Sequence, residues 1–206
     1  MLCSTQLIGF ASGSAPSSMI YVDDTMSASN NISIPAGATI GDLAILGTVH
    51  TTGTFSSFMT EITDANAGSY AGKILVKVLD QDDLTRGNFN STGSNKFQSL
   101  SIVRPTSGTF YNSAASTIFW GSTINPYVGS AQLMAILFFS HIALVSPTIT
   151  PDPSTTNPAF YNNTSLVSKL QMHLVGYNGT GTSLSASMGD GGDDILMSAR
   201  IVMNEL

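Results

Sequence analysis

Lys73–Leu79, KILVKVL, sets the fold class of this chain. Ile74, Val76 and Val78 fall on one side of an extended backbone, and Lys73, Leu75 and Lys77 on the other, which is the two-residue period of a strand. Leu170–Gly176 (LQMHLVG) repeats the pattern: Leu170, Met172, Leu174 and Gly176 alternate with Gln171, His173 and Val175. Outward from these two stretches lie further short apolar runs: Gln6–Ala11, Met19–Val22, Asn31–Ile34, Asp42–Val49, Phe58–Ile62, Gly72–Leu79, Phe97–Arg104, Ser116–Trp120, Gln132–Val145, Val167–Gly176, Ser183–Ser187 and Asp194–Asn204. Turn-forming clusters such as GSAPSS, PAGATIG, DANAG, NSTGSN, TSGT and GYNGTGT separate them. Short strands at this spacing predict an all-β antiparallel sandwich, jelly-roll or immunoglobulin-like, with little helix. Glutamate occurs only at Glu61 and Glu205, and no window carries apolar residues at helical spacing behind a cap.

A chain of 206 residues is long enough to bury a core without disulfides or a structural metal, and one sandwich domain over 1–206 is the expected organisation. No internal repeat is visible in the residues. Four of the eight prolines fall within Pro147–Pro158 (PTITPDPSTTNP), which reads as an extended loop. The apolar run Ala131–Val145 is shorter than a membrane span and is expected to form a buried strand pair. Leu7–Gly13 is too short and too glycine-rich for the apolar region of a signal peptide, so no targeting segment is expected.

Composition points to a protein that works through its surface. Hydrophobic residues make up 42% of the chain and charged residues only 10%, so Ser, Thr, Asn and Gly must carry the exterior. Neutral polar groups cost far less to desolvate than Lys or Glu, and such an exterior suits packing against other protein. The formal charge is −6, and the seven basic residues (Lys73, Lys77, Arg86, Lys96, Arg104, Lys169 and Arg200) form no cluster, which argues against nucleic-acid binding. The single cysteine, Cys3, cannot form an internal disulfide.

Reactive motifs are absent from the sequence. His50, His141 and His173 stand singly in or beside apolar runs, as strand histidines bonded to backbone do. There is no HExxH, nucleophile elbow or phosphate-cradling loop, and no enzyme activity or cofactor is expected. Asp80–Asp83 (DQDD) and Asp190-Gly191-Gly192-Asp193-Asp194 offer oxygens to a cation, with Asp190, Asp193 and Asp194 the better placed, but neither has the glutamate that closes an EF-hand loop. Asp and Gly are equally what tight turns require. Tyr111, Trp120 and Tyr127 lie in an aromatic cluster beside Asn112 and Asn125 and would serve a carbohydrate-binding adhesin; core packing is the commoner use of such rings. The sequons at Asn31, Asn90, Asn162, Asn163 and Asn178 are expected by chance in a chain this rich in Asn, Ser and Thr.

Ile8–Ser14 (IGFASGS) and Ile32–Gly47 (ISIPAGATIGDLAILG) together resemble the opening of a recurrent β-sandwich of bacteriophage and prophage-like structural proteins. Its later strands match in order Ile74–Val78, Ser101–Pro105, Gln132–Phe139 and Leu184–Val202, and the distinctive segment is PAG-x3-GDL. The Gly-Trp-Thr that usually follows is replaced here around Phe55–Thr60. The resemblance implies a tailed-phage virion protein, a capsid cement or decoration protein that forms a homo-oligomer such as a trimer and bridges the major capsid protein; a tail or fibre location is the alternative. Expected contact elements are the N-terminal segment, with Leu7, Ile8 and Phe10, and the proline-rich loop, with Pro151, Pro153 and Pro158. In the distinctive segment itself, Pro35 ends a strand, Gly37 and Gly41 are expected at positive φ, and Asp42 is expected to accept backbone N–H groups.

Overall fold

A computed structural model describes residues 19–55, 59–67, 70–105, 109–119, 123–124, 133–139, 148–151, 158–166, 170–177, 184–187 and 195–204. Among them the chain is all-β and antiparallel, with one short helix. The first sheet contains β1 (Met19–Ser27), β2 (Asn31–Ser33), β3 (Leu43–Phe55), β4 (Thr60–Ala67), β5 (Tyr70–Val78) and β6 (Asn88–Pro105). Its order is β1-β6-β3-β5-β4, with β2 paired to the far end of β6. Helix α1 (Gln81–Arg86) joins β5 to β6. The second sheet is drawn from β7 (Thr109–Phe119), β9 (Leu133–Phe139), β11 (Pro158–Leu166), β12 (Leu170–Tyr177) and β14 (Ile195–Asn204), in the order β11-β12-β9-β14-β7. A small third sheet holds β10 (Thr148–Pro151), β13 (Leu184–Ser187) and β8 (Thr123–Ile124).

The alternation read in KILVKVL decides how the sheets pack. Ile74 and Val76 enter one buried cluster with Leu43, Ile45, Val49 and Val103 of the first sheet and Leu133, Ala135, Leu137, Phe139, Leu170, Met172, Leu174, Met197 and Ala199 of the second. Two sheets therefore face each other across a shared core. Leu75 points the other way, into a second cluster with Ile32, Ala44, Leu46, Met59, Leu79, Phe89, Leu100 and Ile102. That outer layer includes β2, and Ala38 and Leu84 pack on it from the loop before β3 and from α1. β3 is thus buried on both faces, without a break from Asp42 to His50. Its continuous LAIL run, rather than an alternating one, is what a doubly covered strand requires.

The first sheet uses only residues before 106 and the second only residues after 108. Immunoglobulin order differs, because its two sheets draw alternately on the chain. Several boundaries also differ from the sequence reading. NSTGSN, taken as a break, lies inside β6, where Ser91–Ser94 pairs with Thr52–Phe55 of β3. The ladder continues there, so Ser, Thr and Gly positions remain in strand because their partner is already aligned. The run expected as a buried strand pair supplies one described strand, β9, central in its sheet between β12 and β14, and Ser140–Val145 lies outside the described residues. Of the stretch read as a proline-rich loop, Thr148–Pro151 forms β10 and Pro158 opens β11, positions at strand ends where a missing N–H does least harm.

Candidate functional site

Two groups of described ionisable side chains lie at the end of the first sheet where β3 begins and β5 ends. The first is the PAG-x3-GDL turn. Ala38 N–H donates to Pro35 O at 3.0 Å and Asp42 N–H to Thr39 O at 3.2 Å, so the chain reverses twice before entering β3. Gly41 sits at φ 90°, while Gly37 does not have positive φ, so only one of the two glycines is demanded by the backbone. The Asp42 carboxylate, 1% exposed, is held from three directions. Its Oδ2 accepts Thr39 N–H at 2.7 Å and the Thr39 hydroxyl at 3.2 Å. Arg104 of β6 forks onto it, Nε to Oδ1 and Nη2 to Oδ2, both at 2.8 Å, and Nη2 also donates to Gly37 O at 3.0 Å. Burial alone would raise the Asp42 pKa, but the Arg104 and Thr39 bonds outweigh it and hold the carboxyl below its usual range. Arg104 is raised in turn, chiefly by its bond to Asp42.

The second place is α1. Asp80 is its N-cap: Asp83 N–H donates to Asp80 Oδ1 at 2.9 Å and Asp80 N–H to Asp83 Oδ2 at 3.1 Å, a reciprocal capping box. Gly87, at φ 71°, ends the helix by donating its N–H to Asp83 O at 2.8 Å. The fully buried Asp83 carboxylate also takes Lys77 Nζ at 2.8 Å and Arg86 Nη2. Lys77 Nζ reaches Asp80 Oδ2 at 3.1 Å as well. The Asp83 N–H and then Lys77 hold the Asp80 pKa down at about 2. Burial lowers the Lys77 pKa, but its bonds to Asp83 and Asp80 carry it above the ordinary lysine value.

The DQDD segment is therefore a helix cap with cationic partners, which is why its oxygens do not converge on a cation site. Among the described residues, no three His, Cys, Asp or Glu side chains cluster as metal ligands. No described helix is long and apolar enough to cross a membrane. Asp42 and Asp83, each fixed by cations and backbone N–H groups, are anions that hold backbone in place. His50 is a buried residue of β3, and His173 lies on β12 opposite Asn163 and Ile136. Thr48 and Gln98, ladder partners on β3 and β6, are both fully buried, and Gln98 Nε2 donates to Ser29 O.

No protein-family model, curated protein or solved structure matches this chain. The site residues expected from sequence are scattered by the fold. Pro151 is the last residue of β10, paired with Leu184, and Pro158 the first of β11, paired with Tyr177. Tyr111 lies on β7, the edge of the second sheet, paired with Val202. Leu7, Ile8, Phe10, Pro153, Trp120, Tyr127, Asp190, Asp193, Asp194 and His141 lie outside the described residues. Sequence reading anticipated Asp42 as an acceptor of backbone N–H groups in its turn, and the donor is Thr39. It missed Arg104, whose separation of 62 positions leaves no local signal.

Proposed function

We propose that this chain is a virion structural protein of a tailed phage, a capsid cement or decoration protein that acts as a homo-oligomer and bridges subunits of the shell. Its action is mechanical: it buries neutral polar and apolar surface against neighbouring protein. The observation that carries the reading is where the charge goes. Of the seven basic residues, Lys77, Arg86 and Arg104 are committed to Asp80, Asp83 and Asp42. A chain with 10% charged residues thus turns part of that charge inward, leaving an exterior that is cheap to desolvate. The order of the PAG-x3-GDL turn and later strands supports the same reading, since that turn is a scaffold clasped by Arg104.

Cosedimentation of the full chain with shells assembled from the same phage's major capsid protein tests this. Saturable binding supports the cement role, and its absence removes it. Copy number in purified particles, by quantitative mass spectrometry, separates shell from tail: hundreds mark the shell, a few dozen or fewer a tail or fibre. An adhesin would instead retain glycans on an array and lose them in Trp120→Ala with the fold intact.

A further inference from the structure

The two large sheets carry one strand order. Along the chain, the first sheet uses β1, β3, β4, β5 and β6, with β2 to one side, and the second uses β7, β9, β11, β12 and β14. Numbered first to fifth within each set, both sheets run first–fifth–second–fourth–third, with every ladder antiparallel. The way they face each other is equally regular. β1 lies against β11, β6 against β12, β3 against β9, β5 against β14 and β4 against β7. The first strand of each set thus covers the third of the other, the fifth covers the fourth, and second meets second. These are the pairings that a twofold rotation about an axis between β3 and β9, running along the strands, would keep.

Residue-level details fit that axis. On β3, Gly47 approaches β9 so closely that an added Cβ would stand 2.7 Å from Leu137 Cδ1 and 2.8 Å from Met172 Sδ. Gly47 has ladder neighbours Ile74 and Ser99; Leu137 has Met172 and Met197, from the corresponding strands. Two residues on, Phe139 packs on Phe97, the ladder partner of Val49, with ring centroids 5.9 Å apart, so β3 and β9 run level and in the same direction. The irregularities agree as well. Leu43 pairs with Val103 on the fifth strand, and Leu133 with Ile201. The first-strand ladders break register at those same places, between Tyr21 and Asp23 opposite Val103 and Ile102, and between Arg200 and Val202.

We infer that the chain is a fused pair of one five-stranded unit, and that its inter-sheet face is a self-association surface on which each unit receives a second copy of itself about a pseudo-twofold axis. The units differ in their trimmings: β2 and α1 accompany the first, and β8, β10 and β13 the second. The residues conceal the repeat because equivalent positions near the axis have diverged in size. Gly47 and Ser99 are small where Leu137 and Met197 are large. Under the structural role proposed above, such a body offers two flanks of like architecture, β1 with β11 and β7 with β4, to neighbouring protein. The symmetry itself does not depend on that role.

Exchanging the axial pair in the full chain tests it. Gly47→Leu alone drives a side chain into Leu137, and Leu137→Gly alone empties the space, so each lowers the melting temperature. The double variant G47L/L137G is expected to recover part of either loss, since the space that Leu137 leaves takes the new side chain while Met172 must still shift. A double variant no more stable than the worse single, or single variants that melt like the parent, overturns the inference. So does an experimental structure in which the rotation superposing β1, β3, β4, β5 and β6 on β7, β9, β11, β12 and β14 is not twofold. Loss of shell binding with the recovery intact would count against the virion role alone.

Discussion

Replacing Arg104 with Met removes both arms of the fork on Asp42 while keeping the length and much of the apolar stem of the side chain. Asp42 is 1% exposed, so the variant leaves a buried carboxylate with only Thr39 to answer it. Removing one partner of a buried pair costs about 3–5 kcal/mol. The Arg104 side chain is 34% exposed, so water can enter the vacated space, and about 2–3 kcal/mol is the expected loss near neutral pH. For a chain of this size that corresponds to a melting temperature lower by about 4–12 °C. The pH dependence carries the sharper signature. Without Arg104, burial lifts the Asp42 pKa from its depressed value with only the Thr39 bonds opposing it, so the penalty is small in acid and grows as pH rises. Urea denaturation of parent and R104M at pH 4.5 and pH 7.5 reads this directly. The companion Asp42→Asn in the R104M background removes the orphan charge and should recover part of the loss. A penalty under about 0.5 kcal/mol at pH 7.5, or one that shrinks with rising pH, would refute the reasoning.

Asp83→Ala, which releases Lys77 and Arg86 and breaks the capping box, is expected to destabilise by about 2–4 kcal/mol in urea, while the exposed neighbour Asp82→Ala stays within about 0.5 kcal/mol. Gly41→Ala, at φ 90°, should cost about 1 kcal/mol by the same measurement, and Gly37→Ala distinctly less because Gly37 lacks positive φ. In acid, Asp42 and Asp80 have folded pKa values below their unfolded ones, so their stabilisation is present above the ordinary carboxylate range and is lost as pH falls through the folded values, about 2 for Asp80. A thermal melt series from pH 5 to pH 2 should show that decline, and it should be blunted in D42N. Lys77 is shifted upward, so its contribution persists to the ordinary lysine range and fades only above about pH 10.5.

Much of the fold was written in local pattern. KILVKVL and LQMHLVG gave two strands and their inward faces, with Ile74, Val76, Leu170, Met172 and Leu174 all in the shared core. Val78 keeps the same parity but sits at the strand end, 45% exposed, because nothing described lies over it there. What local pattern cannot carry is pairing. The extension of β6 through NSTGSN depends on β3 lying beside it, and β11 (PAFYNNTSL) is polar enough to pass for a loop until β12 is placed against it. The six-residue α1 is too short for a helical period to show; its signals are the Asp80-x-x-Asp83 cap and Gly87, and the sequence reading took Asp80–Asp83 as a turn. The site was less legible still. Asp42 announced itself by its place after Gly41, but Arg104 reaches it only because β6 lies beside β3, and that adjacency is a property of the whole sheet.

Particle content is the most direct gauge of the whole account. On the proposed virion role, quantitative mass spectrometry of purified, nuclease-treated particles produced by the source of this chain should find it in hundreds of copies, in fixed proportion to the major capsid protein. Its absence from those particles, with the folded chain recovered free in the lysate, would contradict the proposal that this surface exists to be covered by a shell.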